Sequence, residues 1–417
     1  MNLISGIFHI LNVSASRRGY FDALRQLDPG QIEMTAMLSA LSVIAVCVGA
    51  VVGLPPRSGP ITRRVGSLSR TDRVALPTAV GLLLPASLLA FFRVREHVST
   101  LEVWGDRIIE LSGGMARYAF MSNWLVWAIS FAVIWFAFRQ RNHEGQFLTV
   151  LALSVGVLAI FAALQWTGGR SIAIVLALPL IMVVLPQLRL NKFMLAASAV
   201  TVSILFILRT VAITEDRFAR SRLGGSSSLA EFADWQWGRF SLLGFAVQHV
   251  DYHGYLFGET FLNAVSRFAY GPLHLVGLST PDNPFRSSMD IAGQTLLNSN
   301  QVNYIVPGMS SELYINFGIF GIVIGYFILG RLCGWVDRRL DASFTPVTQL
   351  FWAYVGSLLV FRTVASDSGG FLVYLFYVGA PLVVVAATSH MSSRRQRRSL
   401  GGNSFPDGEF IRRVGTA

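Results

Sequence analysis

One carboxylate stands at the head of a long apolar run in PGMSSELYINFGIFGIVIGYFILG, which extends from Pro307 to Gly330. It is Glu312. Pro307 and Gly308 predict a turn, and Ser310 or Ser311 supplies a cap for the helix that follows. Glu312 then falls in the first helical turn, where the helix dipole favours negative charge. Asn316 lies four residues on, along the same face, with Tyr314 between them as a further substrate contact. Two readings of Glu312 stand side by side. It complements the dipole, or it serves chemistry, the default for an ionisable group at membrane depth. The chemistry open to a carboxylate there is removal of a proton from a hydroxyl within hydrogen-bond reach.

Arginines supply the complementary charge. WTGGRS, Trp166 to Ser171, is a short turn between two apolar runs that presents Arg170 at the bilayer edge. It is either a snorkelling arginine or, beside two glycines that permit close approach, an anion contact. A second set comprises Arg209, Arg217, Arg220, Arg222, Arg239, Arg267 and Arg286. A guanidinium stays charged and pairs two oxygens of a phosphate at once, so a diphosphate at headgroup level suits this set. Arg239, flanked by aromatics in DWQWGRFSLLG, is the first choice, with Arg209 and Arg267 as supporting contacts. For each arginine, a solvated loop charge or a lipid-headgroup contact is the competing reading.

VQHVDYHG places His249 and His253 four apart. That is a metal-type spacing on a helix, but no third ligand is evident. The pair, and His274 with it, reads as a contact to a sugar or a headgroup. No metal site and no cofactor is expected. No Asp-x-Asp motif occurs, which removes the common carboxylate pattern for a metal-bound sugar diphosphate. There is no glycine-rich phosphate loop with a lysine, and Lys192 is the chain's one lysine. ATP-driven transport is therefore not expected. Cys47 and Cys333 form no redox or metal spacing.

The elements that must position these groups follow from composition. Of 417 residues, 53% are hydrophobic and 14% charged, far less charge than a soluble domain carries. Lipid offers backbone groups no partners, so the spans are helical. The fold class expected is all-α: a polytopic integral membrane protein of about nine transmembrane helices, within a range of 9–12. The spans are placed at Met34–Leu54, Val74–Phe92, Phe120–Phe138, Phe147–Trp166, Ser171–Pro186, Phe193–Ile213, Glu312–Gly330, Thr348–Arg362 and Gly370–Thr388. Met1–Val13 reads as an interfacial helix with Arg17 and Arg18 at the headgroups.

The net charge of +11 is a topology signal rather than a nucleic-acid patch. Residues 55–73, 139–146, 187–192, 331–347 and the tail from Ser389 hold 18 basic and six acidic residues, against 16 and 17 elsewhere. By the positive-inside rule this set faces the cytoplasm. The long connection 214–311 then lies outside, and a loop of that length is expected to be functional. Its apolar stretches Phe240–Val250 and Leu262–Leu278 are expected to lie along the outer membrane-water boundary or to dip into it. One transmembrane domain, 1–388, is followed by a disordered basic tail, 389–417.

With these residues in place, the chain resembles the O-antigen polymerases of the Wzy type, which are related to the O-antigen ligases. PGMSSELYINFGIFGIVIGYFILG is similar to that family's Pro-Gly, Glu, Asn-Phe-Gly pattern. TGGRS resembles the short basic turn before a mid-chain span, and GRFSLLGFAVQHVDYHGYLFGETF resembles, more loosely, the segment in which the ligases carry another arginine. The paired outer loops with Arg and Gly ten residues apart, found in some members, have no counterpart here. The resemblance implies a membrane glycosyltransferase of lipopolysaccharide assembly. It would join oligosaccharide units carried on undecaprenyl diphosphate, at the periplasmic face of a bacterial inner membrane, without metal or nucleotide. Glu312 would then be the base, with Arg170 and Arg239 holding the diphosphate. The partners implied are lipid-linked donor and acceptor, membrane lipids and a chain-length regulator protein. Two alternatives are a ligase-like transferase, against which Glu rather than His at this position argues, and a flippase or transporter of lipid-linked oligosaccharide, which predicts internal repeats and polar groups deep within spans.

Overall fold

The computed structural model describes residues 27–53, 68–99, 115–139, 145–163, 170–187, 239–275, 283–297, 306–343, 345–362 and 367–401. These residues are helical, with no strand among them. The helices are α1 (Pro29–Gly53), α2 (Arg70–Ser99), α3 (Ala116–Asn123), α4 (Leu125–Arg139), α5 (Gly145–Ala163), α6 (Arg170–Val184), α7 (Arg239–His253), α8 (Glu259–Leu275), α9 (Ser288–Leu297), α10 (Met309–Asp341), α11 (Pro346–Ser357), α12 (Ser368–Val373) and α13 (Ala380–Gly401). Four helical stretches among the described residues are long and apolar enough to cross a membrane: α1, α2, residues Arg117–Arg139 and α10. Ser368–Val378 with Ala380–Met391, bent by 55°, makes a fifth if the pair is one broken span. Thr149–Ile160, Val175–Val184 and Pro346–Val360 are shorter apolar helices. The protein is an all-α membrane protein. The expected span Phe193–Ile213 and the helix Met1–Val13 lie outside the described residues.

Two compact units divide the chain. The first comprises Met1–Pro55, Leu185–Gly334 and Leu359–Phe371; the second comprises Pro56–Val184, Trp335–Leu358 and Leu372–Ala417. In the first, α1 and the long part of α10 meet through glycines. A Cβ on Gly49 would strike the Phe327 carbonyl, and one on Gly330 would strike the Val46 carbonyl and come within 2.7 Å of the Ala50 nitrogen. Gly53 and Gly334 extend the seam one turn further. Lipid is as apolar as leucine, so helices in it associate through such close backbone approach rather than through hydrophobic exclusion. Around this seam Leu38, Leu243, Phe245, Ala246, Ile291, Ile315 and Ile322 form one buried cluster from α1, α7, α9 and α10. The stretch Phe240–Val250 is packed within this unit. It forms α7, whose Leu242, Leu243, Phe245, Ala246 and Val247 are buried in this core, and Gln31 Nε2 donates to Asp251 Oδ2 across α1 and α7 (2.8 Å).

α8 follows a different pattern. Its Thr260, Asn263 and Ala264 face the protein, while Leu262, Val265 and Leu273 are exposed. Polar groups inward and apolar groups outward is the arrangement of a helix whose solvent is lipid or the lipid boundary.

The second unit is built on α2, α4, α5, α6 and α11 around Trp127, Phe131, Ile134, Leu176, Leu180 and Tyr354. Its final span is irregular. Residues Tyr374–Val378 form a π-turn, which leaves carbonyls outside the regular ladder. Three side chains answer them. Trp124 Nε1 donates to the Tyr377 carbonyl (2.9 Å), Trp127 Nε1 to that of Val378 (2.6 Å) and the Tyr354 hydroxyl to that of Tyr374 (2.5 Å). Residues 389–401, expected to be disordered, continue α13 as helix: between Ala380 and Gly401 the sequence has one early proline and otherwise little to stop a helix. Residues 402–417 lie outside the described residues.

The expected single span Glu312–Gly330 is corrected. Gly318 has φ 63° and ψ −147°, which interrupts α10. The Ser310 and Tyr326 hydroxyls are hydrogen-bonded although 16 residues apart, a separation of roughly 24 Å in a straight helix. A Cβ on Gly325 would lie 2.6 Å from the Leu313 side chain, and one on Gly321 would strike the Leu313 carbonyl. Residues 309–317 are therefore a short arm folded back along a long arm, 319–341. The latter is roughly 35 Å long at 1.5 Å per residue, enough to cross the hydrocarbon core alone. Gly321 and Gly325 accommodate this arm of their own chain.

Gly330→Leu is expected to lower the thermal midpoint of the detergent-purified protein by an amount equivalent to about 1–3 kcal/mol, the usual cost of overpacking. Gly81→Leu, at a position with nothing within 4 Å of the added carbon, is expected to leave it unchanged.

Candidate active site

The short arm begins with the turn read from Pro307 and Gly308, the latter at φ 86°. Glu312 N–H donates to the Gly308 carbonyl (3.1 Å), and the Ser311 hydroxyl to that of Pro307 (3.0 Å). Glu312 thus lies in the first turn, as the sequence predicts, but of a re-entrant arm packed beside the span, not at the mouth of the span. It is 1% exposed. Its carboxylate is held from a segment 56 residues away: Ser368 N–H donates to Oε2 (2.7 Å) and the Ser368 hydroxyl to Oε1 (2.8 Å). The Thr260 hydroxyl on α8 also interacts with it. Ala264 of α8 packs 3.7 Å from the Cβ position of Gly369, so α8 and the start of α12 are neighbours on this side.

Asn316 is fully buried, and its amide is spent on architecture. Nδ2 donates to the Glu312 carbonyl (2.7 Å) and to Thr260 Oγ1 (2.7 Å), while Oδ1 accepts from Gly258 N–H (2.8 Å). Leu256 N–H donates to the Ile315 carbonyl (3.0 Å), a group freed by the helix break. The turn Gly254–Gly258, with Gly254, Phe257 and Gly258 all at positive φ, therefore docks on the end of the short arm through two hydrogen bonds. Tyr255 fills the space beside Gly318, where a Cβ would come within 2.9 Å of its hydroxyl. Tyr314 is buried edge-on to Tyr255, with ring centroids 6.4 Å apart. The rings at this end are exposed: Phe257 at 81% and Phe320 at 78%, with Phe261 stacked on Phe317.

The other predicted residues are distributed as follows. Arg239 is the first residue of α7, in the first unit, and Arg170 the first residue of α6, in the second. Arg209 lies outside the described residues. Arg267 is exposed on α8. His249 and His253 lie on α7 with ring centroids 4.8 Å apart. His249 is buried, its Nδ1 is 3.3 Å from Thr295 Oγ1, and its Nε2 has no partner. Burial pushes this imidazole down to about 4, with the His253 and Arg286 charges adding to the effect. No group of three or more potential metal ligands occurs among the described residues.

Arg286, one of the candidate diphosphate contacts, is engaged within the chain. Its Nε and Nη2 donate to Glu259 Oε1 and Oε2 (3.0 and 3.1 Å), and its backbone N–H also reaches Oε1. This pairing holds the Glu259 carboxyl below its ordinary range, chiefly through the side-chain hydrogen bonds, and raises the guanidinium in turn.

Sequence reasoning missed Thr260, Ser368 and Gly318. Ser368 carries a local signal, since Asp-Ser-Gly-Gly at 367–370 is a helix-capping pattern. Nothing in that pattern points to Glu312. Chemically, the cluster presents a carboxylate whose Oε2 is fixed by a backbone donor and whose Oε1 is met by a hydroxyl that one side-chain rotation removes. Such a group can accept a proton from an incoming hydroxyl.

Gly318→Ala is expected to lower the thermal midpoint by the equivalent of about 1–3 kcal/mol, because alanine strains both that backbone and the Tyr255 contact. The Glu259–Arg286 pair contributes stability that is present above the usual carboxylate range and lost as pH falls through the depressed value of the folded state. Being half exposed on the arginine side, it is worth at most about 1 kcal/mol. Thermal midpoints of the native chain and of Arg286→Ala are expected to differ at pH 7 and to converge toward pH 3.

Comparisons with protein-family models, with curated proteins and with solved structures found no match.

Proposed function

We propose that this chain is a membrane glycosyltransferase that polymerises oligosaccharide units carried on undecaprenyl diphosphate, at the periplasmic face of a bacterial inner membrane. The observation that carries the reading is Glu312: an acid buried on a re-entrant arm, gripped by Ser368 and neighboured by α8, whose outer face is apolar. Burying a carboxylate in a membrane protein is costly, and such groups are kept for function.

In this reading the growing chain is the donor. The acceptor hydroxyl takes the place of the Ser368 hydroxyl at Oε1 and gives its proton to Glu312 as it attacks the anomeric carbon. The bond from that carbon to the diphosphate breaks, and the lipid diphosphate leaves. Oε2 stays fixed by the Ser368 N–H throughout, so the base keeps its orientation. Arg239, in the same unit as Glu312, is assigned to the charge developing on the leaving diphosphate. The exposed aromatic rings around Phe257 and Phe320 suit a headgroup-level boundary, where amphipathic and aromatic groups collect, and both lipid-linked substrates would arrive there laterally.

A second reading is favoured by the helix break itself. Discontinuous helices with buried polar groups also build the substrate sites of transporters, and a flippase for the same lipid-linked sugar would need no new bond. Purified protein in lipid nanodiscs or proteoliposomes, supplied with lipid-linked oligosaccharide, separates the readings. A ladder of products is expected for the polymerase, transfer to another lipid would mean a ligase-like enzyme, and movement without new bonds would mean a flippase. Glu312→Gln is expected to reduce chain extension by roughly 10²–10⁴-fold, the usual weight of a general base, with the protein still inserted. Full-length polymer from that variant excludes the base role.

A further inference from the structure

Two of the donors that meet Glu312 belong to one residue, Ser368, and Ser368 is the first residue of the helical stretch Ser368–Val378. The first turn of a helix has N–H groups that find no partner inside the helix. What fixes it is the preceding residue. Asp367 is 6% exposed. Its Oδ1 accepts the Gly370 N–H (2.8 Å), its carbonyl accepts the Phe371 N–H (3.0 Å), and its Oδ2 accepts the Ser288 hydroxyl (3.2 Å). The first two bonds wind the first turn of α12. The third ties that turn to the start of α9, which is itself fixed by a reciprocal cap: Ser287 N–H donates to Asp290 Oδ2 (3.2 Å) and Asp290 N–H to Ser287 Oγ (3.1 Å). A continuous path therefore runs from the rigid start of α9 through Ser288 and Asp367 to the donors on Glu312.

We propose that Asp367 is a positioning residue for Glu312, anchoring Ser368 so that its N–H and hydroxyl hold the carboxylate in one orientation. This rests on Glu312 being the base, but its geometric content stands without it. Asp367 also acts on Glu312 through its charge, which Asp367→Asn and Asp367→Ala both remove, so the hydrogen bonds are what distinguishes these two variants. In Asp367→Asn, the side-chain oxygen still accepts from Gly370, and the amide nitrogen can donate to Ser288 Oγ.

Two readouts test it on the full-length protein in detergent or nanodiscs. The first is polymerisation kinetics. Asp367→Ala is expected to lower kcat by roughly 10–100-fold, the scale of misplacing a reacting group by about 1 Å, with KM for the acceptor little changed, and Asp367→Asn to restore most of the rate. The second does not depend on activity. Dicyclohexylcarbodiimide modifies carboxyl groups in apolar surroundings, and peptide mass spectrometry reads its attachment to Glu312. Labelling is expected to rise several-fold in Asp367→Ala and in Ser368→Ala, and to be several-fold lower in Asp367→Asn than in Asp367→Ala, which lacks the same charge. Unchanged labelling in Asp367→Ala, or equal impairment of the Asn and Ala variants, overturns the proposal. If Asp367→Ala does not fold, Ser288→Ala carries the test: increased Glu312 labelling supports the proposal and a native level overturns it. If Glu312→Gln proves fully active, the base reading fails, and the labelling results still decide the positioning role.

Discussion

A single backbone position, Gly318, governs the candidate site. Its φ and ψ lie where residues with a Cβ are rarely found, and there the chain leaves one helix and turns back along another. A helix broken inside an apolar environment leaves amide and carbonyl groups that lipid does not satisfy. Here they are met from within the protein. Leu256 N–H takes the Ile315 carbonyl, and the Asn316 side chain reaches the Glu312 carbonyl, Thr260 and Gly258 at once. Asn316, which looks from its spacing like a substrate contact, is the joint that makes the break tolerable.

The same accounting explains other irregularities. The π-turn Tyr374–Val378 exists beside two indole N–H groups and a tyrosine hydroxyl aimed at its carbonyls. Pro381 has no N–H for the Tyr377 carbonyl four residues before it, and the Trp124 indole supplies the donor instead. Close approach of backbones, as between Gly49 and Phe327 or Gly330 and Val46, then does what hydrophobic exclusion does in water. Broken elements are cheap in this fold only where a second element has come within hydrogen-bonding range.

Glu312 gathers these themes. It sits on the arm that the break creates, is covered almost completely, and has each oxygen met by a donor from Ser368. A carboxylate held in this manner loses little orientational freedom when a substrate hydroxyl arrives, which is the advantage of a preorganised base. The division between a fixed backbone donor and an exchangeable hydroxyl gives the two oxygens different roles. Arg286, by contrast, shows how a residue type suited to phosphate can be committed elsewhere: Glu259 occupies its fork.

The sequence alone determined the class and the acid. Lipid offers backbone groups no partners, so spans such as Met34–Leu54 and Val74–Phe92 are written in composition, and a lone carboxylate such as Glu312 stands out against them. Gly49 with Gly53, and Gly330 with Gly334, stand four apart in the sequence, but that spacing does not say which helix each meets. Only the tertiary structure decided that Glu312–Gly330 is an arm and a span rather than one helix, that Leu242–Val247 of α7 packs into the core of its unit, and that Ser368 and Thr260 hold the acid. The reason is physical. Hydrophobic periodicity is a local property and survives in any window of the chain. A helix break depends on whether donors from segments some 60 residues away in sequence (Leu256 for Ile315, Ser368 for Glu312) arrive to satisfy what it exposes.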